Sequence, residues 1–397
     1  MVDINLKMVG RDRSIFHDDI LTNEAFLTRE ISESKFLVIG GAGTIGQAVC
    51  KEIFMRNPRS LHVVDISENN LVELTRDLRS SQGYIDGDFK TFALDCGSQE
   101  FMRMVDEFGP YEYILNLSAL KHVRSEEDPY TLMRMIQVNI LNTIATIDLA
   151  VSMGAKKYFC VSTDKAANPV NLMGASKRIM ELFLASYSNV MNISTARFAN
   201  VVFSDGSLLH GFNQRLQKKQ PIVAPSDVKR YFVTPKEAGE LCLLSCMLGD
   251  DGDIFFPKLT KSMDLKSFSD LAKIYLDSNG YQVHECDSEN DARQNADEII
   301  SLGRWPCLFT VSDTTGEKPF EEFFTDSENP DFESYSGVGK VKIRSQKNDQ
   351  NLAQFLDELN EIRKSNPWNK KTIVKLFKKH LPELSHVELG KSLSEKM

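Results

Sequence analysis

The apolar run Lys35-Phe36-Leu37-Val38-Ile39 passes straight into Gly40-Gly41-Ala42-Gly43-Thr44-Ile45-Gly46. No other stretch restricts the fold as much. A short buried strand, a glycine turn and a following helix make up half of a strand–helix–strand unit. The alternation then continues. Strands are expected at 61–65, 92–94, 113–117 and 158–161. Helical patterns lie between them at 47–55, 71–78 and 132–153, the last with apolar residues at 133, 136, 140, 144 and 147. Alternation at this spacing predicts an α/β fold, a Rossmann-like doubly wound parallel sheet.

Around that sheet the chain divides into four expected regions. Residues 1–34 read as an N-terminal extension with a short helix within 22–30, and residues 35–204 as the dinucleotide-binding domain. Regularity weakens after about residue 204, where glycine, proline and charge become more frequent. Residues 205–340 are therefore expected to form a smaller substrate-binding lobe. Ile254-Phe255-Phe256 is a further strand, and part of 250–260 is a candidate to return to the main sheet. Residues 282–300 are polar and acidic and read as a surface excursion, and 326–350 as irregular. Residues 341–397 read as a C-terminal helical extension. Within it, 351–364 is amphipathic, with apolar residues at 352, 355, 356, 359 and 362, and a second helix is expected at 372–381.

Composition excludes some classes of function. The 397 residues are 42% hydrophobic and 26% charged, as in ordinary globular proteins. A formal net charge of -9 without a long basic run argues against nucleic-acid binding, though not against one local phosphate pocket. No run of 18 apolar residues occurs, so no membrane span is expected. The seven cysteines lie at 50, 96, 160, 242, 246, 286 and 307. Their spacing offers no zinc-like pairs; Cys242 and Cys246 share one helix face. Reduced thiols, a cytoplasmic location and no metal site are the expectation.

The glycine turn lies between strand and helix, the context in which backbone approaches a pyrophosphate at a helix N-terminus. Gly40, Gly43 and Gly46, with Thr44 and Ile45 at the helix start, are the candidate cradle. Asp65 ends the next strand, where a carboxylate accepts from ribose hydroxyls and repels a 2′-phosphate, which favours NAD over NADP. Asp95 closes the third strand, either to meet the adenine edge or to cap a turn. Ser118 and Ala119 are small residues that would let backbone approach the nicotinamide side, or would simply pack helix on sheet. Lys121 and His122 follow in a loop past a strand's carboxyl end, where ligands bind in such sheets. Asn139, mid-helix among apolar residues, needs a partner and could brace the site. Thr163-Asp164-Lys165 then places a hydroxyl, a carboxyl and an amine in three consecutive residues, and Lys177 follows on a helix. Met173, at its i−4 position, cannot exchange protons.

The stretches GGAGTIG at 40–46, SALKHV at 118–123, STDKAANPVNLMGASK at 162–177, ARFANVVFSDGS at 196–207, KRYFVT at 229–234 and TGEK at 315–318 resemble the extended short-chain dehydrogenase/reductases. More closely, they resemble the polysaccharide-biosynthesis type that dehydrates UDP-N-acetylglucosamine at carbons 4 and 6. The resemblance spans roughly residues 35–325 and is most specific at 162–177. It implies a lyase that retains its NAD. Hydride leaves sugar carbon 4, a base takes the proton of carbon 5, an acid protonates the departing carbon 6 hydroxyl, and hydride returns to carbon 6. Asp164 and Lys165 match the acid and base, Thr163 the group on the carbon 4 oxygen, and Lys177 the lysine that holds the nicotinamide ribose. Met173 stands where most relatives carry tyrosine, as in the branch thought to retain configuration at carbon 5. The carbon 4 hydroxyl proton is then left to Asp164 or to a relay through Thr163. Tyr187 is no substitute, because Met191, not lysine, lies four residues on.

The same resemblance puts Arg230 at the diphosphate, Asn200 at the diphosphate or the sugar and Glu317 at the nucleotide ribose, with Lys121 and His122 on the substrate side. Thr314 and Asp205 stand where relatives often have arginine, so a GDP-sugar is an alternative to the UDP-sugar. Relatives commonly carry an N-terminal membrane region, and none is expected in the residues of this sequence. A homo-oligomer is expected, with the helices near 132–153 and 174–187 able to serve as an interface or as core. The competing readings are a nucleotide-sugar 4-epimerase and a non-catalytic NAD-binding interaction protein.

Overall fold

The computed structural model describes residues 3–260, 265–312, 321–343 and 349–386. Its centre is an eight-stranded sheet. From one edge, the strands are Val338–Lys342, Asp253–Pro257, Ile193–Phe198, Lys157–Thr163, Tyr113–Asn116, Lys35–Ile39, Ser60–Asp65 and Asp88–Ala93. All pair in parallel except the edge strand Val338–Lys342, which runs antiparallel to Asp253–Pro257. The six strands that come first along the chain, Lys35–Ile39 to Ile193–Phe198, have the order expected of a doubly wound dinucleotide fold, which leaves a crevice where the order reverses, outside Ile39 and Asn116.

Both faces of the sheet are covered. Phe36, Val38, Leu61 and Val63 point to one side with Val49 and Ile53 of the helix Thr44–Phe54. Leu37, Ile39, Val64 and Ile114 point to the other with Phe101 and Ile147. Successive side chains of a strand alternate, so an unbroken apolar run is what a sheet buried on both faces requires.

Pro129–Ser152 is long and apolar enough, by length and composition, to cross a membrane. In this fold it is the crossover between the neighbouring parallel strands Tyr113–Asn116 and Lys157–Thr163, with a π-helical turn at Gln137–Leu141. Its apolar face is shared between the sheet and the C-terminal helices Asp349–Lys364 and Lys370–His380. Those two helices pack on Leu132, Ile136, Ile179 and Phe183. The surface offered by the sequence as a subunit interface is thus largely covered by the chain itself.

The smaller lobe carries two three-stranded sheets. One contains Asn200–Val201, Lys229–Val233 and Leu265–Ser267; the other contains Ile222–Pro225, Arg304–Thr310 and Gln282–Glu285. Residues 282–300, read from the sequence as a surface excursion, supply an edge strand and two short helices. The N-terminal residues are tied in as well. Met8 and Val9 join the lobe's core with Phe212 and Trp305. Arg11 donates to both oxygens of Glu237. Asp19 accepts from the amides of Ser336 and Gly337, at 2.6 and 2.7 Å, just before the antiparallel strand. All seven cysteines are buried free thiols. Among the described residues, no three His, Cys, Asp or Glu side chains are grouped to hold a metal ion.

Candidate active site

The glycine turn leaves the sheet beside Ser118. A Cβ at Gly40 would lie 2.6 Å from the Ser118 nitrogen, and one at Gly46 would lie 2.3 Å from the Gly40 oxygen. Side chains are therefore excluded where the helix meets the turn. A Cβ at Gly43, by contrast, would meet only the Gly40 oxygen, at 3.7 Å. Helix Thr44–Phe54 starts at Gly43 without a side-chain cap, although the helices starting at Glu68, Gln99, Leu172, Leu208 and Pro235 are all capped by side chains. Half-buried Thr44 and Ile45 thus present backbone N–H groups at the crevice, which fits the pyrophosphate of a dinucleotide, while the Gly43 amide donates to the Gly40 carbonyl (3.4 Å). Asp65 accepts from Ala42 (3.0 Å) and Ser67 (2.9 Å), so it also secures the turn. Each of its oxygens keeps a further lone pair for a ribose hydroxyl.

Around this mouth the remaining cofactor-side candidates are tightly held. Asp95 accepts from Gly97 (2.9 Å) and pairs with Arg134 (2.9 Å), the turn-capping alternative raised by the sequence. Ser118 donates to Asn116 (2.7 Å), and Ala119 follows it, half-buried. Asn139 grips the loop at Leu120, accepting from its amide and donating to its carbonyl, both at 3.0 Å; it also donates to Ser176. It lies in the π-helical turn, a local distortion often found at functional sites. The Asp205 amide donates to the Thr44 hydroxyl (3.0 Å), and Gly206 lies close against the His122 ring. Burial pulls the Lys121 amine below its usual range, partly offset by Asp205. Burial lowers His122 too, aided by Lys121 and Arg124.

The candidate chemical centre, Thr163 to Lys165, lies at the end of strand Lys157–Thr163. Asp164 is buried at 3% exposure. Its carboxylate accepts from the Thr163 hydroxyl (2.8 Å) and from Lys165 Nζ (3.2 Å). Lys177, also buried, donates to the Val161 carbonyl (3.0 Å) one strand turn away. Burial lowers its amine, against the opposing pull of Cys160 and Glu181. Met173 has its side chain in the apolar cluster with Leu132 and Ile136, while its amide donates to Glu126 (2.8 Å). Tyr187 is taken up at the far end of the same helix, donating to Asp148.

Asn200 and Arg230 meet at Glu321. Asn200 donates to Glu321 (2.5 Å), Arg230 Nε lies 3.5 Å from the same oxygen, and the Tyr231 amide donates to the other (3.2 Å). Burial pushes the Glu321 carboxyl up to about 7; nearby Asp164 adds to the rise, while Arg230 and Lys165 oppose it. One carboxyl therefore joins Asn200 and Arg230 to the loop that carries Asp164 and Lys165. The sequence reading named Glu317 instead, which lies outside the described residues. A carboxylate pair inside the aromatic run Pro319-Phe320-Glu321-Glu322-Phe323-Phe324 was the available signal. Gly174 was missed as well: a Cβ there would come within 2.3 Å of the Lys165 oxygen, so the helix start sits directly against the catalytic loop. Ser162 and Arg197, quoted only as motif letters, meet at Glu181. Arg197 forms two hydrogen bonds to it (2.9 and 2.8 Å), and Ser162 donates to it (2.7 Å). Arg197 also pairs with Glu328.

A family model described as polysaccharide biosynthesis protein matches residues 36–341. The chain belongs to that family. Among the family's relatives, the capsular polysaccharide biosynthesis protein CapD of Staphylococcus aureus is 30% identical over 68% of this chain and 45% of its own length. The chain thus spans less than half of that protein. A UDP-N-acetylglucosamine 4,6-dehydratase (inverting) of Campylobacter jejuni is 26% identical, covering 56% of this chain and 66% of its own. A UDP-glucose 4-epimerase of Rickettsia massiliae is 27% identical, covering 57% and 66%. Among solved structures, Pen from Bacillus thuringiensis superposes with a TM-score of 0.62 at 22% identity, covering 79% of this chain and 87% of that one. DesIV, a dTDP-glucose 4,6-dehydratase from Streptomyces venezuelae with NAD and TYD bound, gives 0.55 at 17% identity, covering 73% and 88%. The fold is that of the extended short-chain dehydrogenase/reductases.

Proposed function

We propose that the chain is a nucleotide-sugar 4,6-dehydratase that holds NAD and removes water from UDP-N-acetylglucosamine. The observation that carries this reading is the contact between Asp164 and Lys165 at the carboxyl end of a central strand, with Thr163 on the same carboxylate. An elimination needs an acid and a base side by side, and an epimerase does not. The Campylobacter dehydratase among the relatives favours the same substrate. Gly43, Thr44, Ile45 and Asp65 would hold the dinucleotide, and Lys177 its nicotinamide ribose. Bound there, NAD would supply the acceptor for hydride from carbon 4 and the donor that returns it to carbon 6.

The proton steps belong to the chain. Asp164 takes the carbon 4 hydroxyl proton, directly or through Thr163. Lys165 exchanges one proton with solvent and enters the next step as the free amine. The free amine then takes the proton of carbon 5, made acidic by the neighbouring ketone. Asp164 gives its proton to the carbon 6 hydroxyl, which departs as water. Lys165 finally returns a proton to carbon 5 and regains one from solvent, restoring the ion pair. The net change is loss of one water, without external oxidant or reductant. Arg230 and Asn200 would take the diphosphate, the planar guanidinium suiting paired oxygens.

Mass spectrometry of products from UDP- and GDP-linked N-acetylglucosamine tests the reading. A UDP-sugar lighter by one water is expected. An isomer of unchanged mass would mean an epimerase, and dehydration of the GDP donor alone would move the nucleotide assignment.

A further inference from the structure

The family match ends at residue 341, yet the chain goes on to form a helical hairpin, Asp349–Lys364 and Lys370–His380, followed by a turn and a short irregular stretch to His386. We propose that this C-terminal segment is a clamp that positions the catalytic loop, with Glu126 and His386 as its positioning residues. The proposal rests on the roles given above to Asp164 and Lys165.

Three contacts hold the stretch from Pro169 to Arg178. The Ser385 amide donates to the Pro169 carbonyl at 3.0 Å. His386 Nε2 lies 3.6 Å from one oxygen of Glu126, whose other oxygen accepts from the Met173 amide at 2.8 Å. Glu383 lies 3.5 Å from Arg178 Nε. Between these points the hairpin's Phe355 and Phe377 pack in one apolar cluster with Met173, Ile179 and Phe183.

Glu126 is buried at 6% exposure, on the short turn Val123–Glu126 that follows Lys121 and His122. A carboxylate accepting from the first turn of a helix is favoured by the exposed N–H groups there. The same helix start abuts the Lys165 carbonyl, since even a methyl group at Gly174 would lie 2.3 Å from it. A sideways shift of the helix start therefore moves Lys165. The contacts run from His386 and Ser385 through Glu126 and Pro169 to Gly174 and Lys165. None of these residues belongs to the glycine cradle, so the clamp acts first on the proton-transfer geometry; Lys177, on the same helix, is the one cofactor-side group that moves with it.

Glu126→Leu removes the acceptor, whereas Glu126→Gln keeps a carbonyl for the Met173 amide. His386→Ala and a chain ending after His380 release the clamp from its other side. The expected result is a fall in kcat of about 10²-fold for Glu126→Leu, the cost of a small misplacement of reacting groups. KM should be unchanged, NAD retention on gel filtration should fall far less than kcat, and Glu126→Gln should restore most of the rate. Amide hydrogen exchange gives a readout independent of turnover. In His386→Ala and in the shortened chain, Lys165 to Gly174 should exchange faster while Lys35–Ile39 is unchanged. Unaltered exchange at Lys165 to Gly174 would overturn the clamp even if no dehydration were ever seen. Faster exchange in a wild-type protein that removes no water would uphold the clamp and reject the proposed reaction. If Glu126→Leu does not fold, the same comparison is made on His386→Ala.

Discussion

The dinucleotide cradle and the Thr163–Lys165 loop lie at the carboxyl ends of the same sheet, but they are held in different ways. The cradle is built from near neighbours in sequence: a glycine turn, the first turn of the next helix, and Asp65 at the end of the next strand. The catalytic loop is held by residues from many parts of the chain. Ser162 leans on Glu181, which is locked by Arg197, which in turn pairs with Glu328. Gly174 and the C-terminal segment press on the loop's other side. Backbone geometry is enough to bind a phosphate, whereas a proton donor and acceptor must be placed within tenths of an ångström. The second task recruits distant side chains.

Substitutions at the two regions should therefore have separable effects. The largest is expected at the loop itself. Lys165→Ala or Asp164→Asn should lower dehydration by about 10²–10⁴-fold, the usual worth of a positioned acid or base. NAD should still copurify, as absorbance of the denatured extract will report. Loss of cofactor from these variants would mean that the two regions are not independent.

Next comes the bracing network. Arg197 is fully buried between Glu181 and Glu328. Arg197→Ala leaves Glu181 and Glu328 to share Arg178, at 3.1 and 3.7 Å, and should cost about 3–5 kcal/mol, read from urea unfolding. A midpoint within error of wild type would show that the network does not stiffen the loop.

The pH dependence of stability probes the same side of the molecule. Folding raises the Glu321 carboxyl to about 7, chiefly through burial. The native state then holds a proton that the unfolded chain has already released. The stabilisation is complete below the ordinary carboxylate range and fades as pH rises through about 7. Glu321→Gln should flatten this decline and narrow the gap between pH 5 and pH 8 by on the order of 1–3 kcal/mol. Glu240, also pushed up to about 7, is left as an internal control for the remaining slope. An unchanged slope in the variant would place the titration elsewhere.

The smallest effect is expected in the cradle. Asp65→Asn keeps an acceptor for Ala42 but loses the charge that excludes a 2′-phosphate. NAD affinity should fall by about tenfold, equal to about 1.4 kcal/mol, with NADP affinity nearly unchanged. Calorimetric titration of the apoprotein with both dinucleotides will measure it.

How much the sequence revealed follows the same division. Strands 35–39 and 61–65 and their glycine turn were legible because their patterns are local. The stretch Val338–Lys342 was read as irregular, since Val338-Gly339-Lys340-Val341-Lys342 is short and two of its five residues are charged. It becomes a strand only by pairing with Asp253–Pro257, with Asp253 taking up Lys340. The acidic stretch 282–300 hid a strand because only Cys286, Ala292 and Ile299 form its small core. In the site, Asp164, Lys165 and Lys177 stood out as a dense run of functional groups. Glu321 did not, because its partners Asn200, Arg230 and Tyr231 converge on it only in the folded chain. Likewise, Glu126 has meaning only beside Met173 and His386.

The most direct measurement follows one hydrogen. UDP-N-acetylglucosamine carrying deuterium at carbon 4 should yield a dehydrated product with that label on carbon 6, because the hydride never leaves the closed site. Label found in solvent, or still on carbon 4 of an intact sugar, would contradict the account.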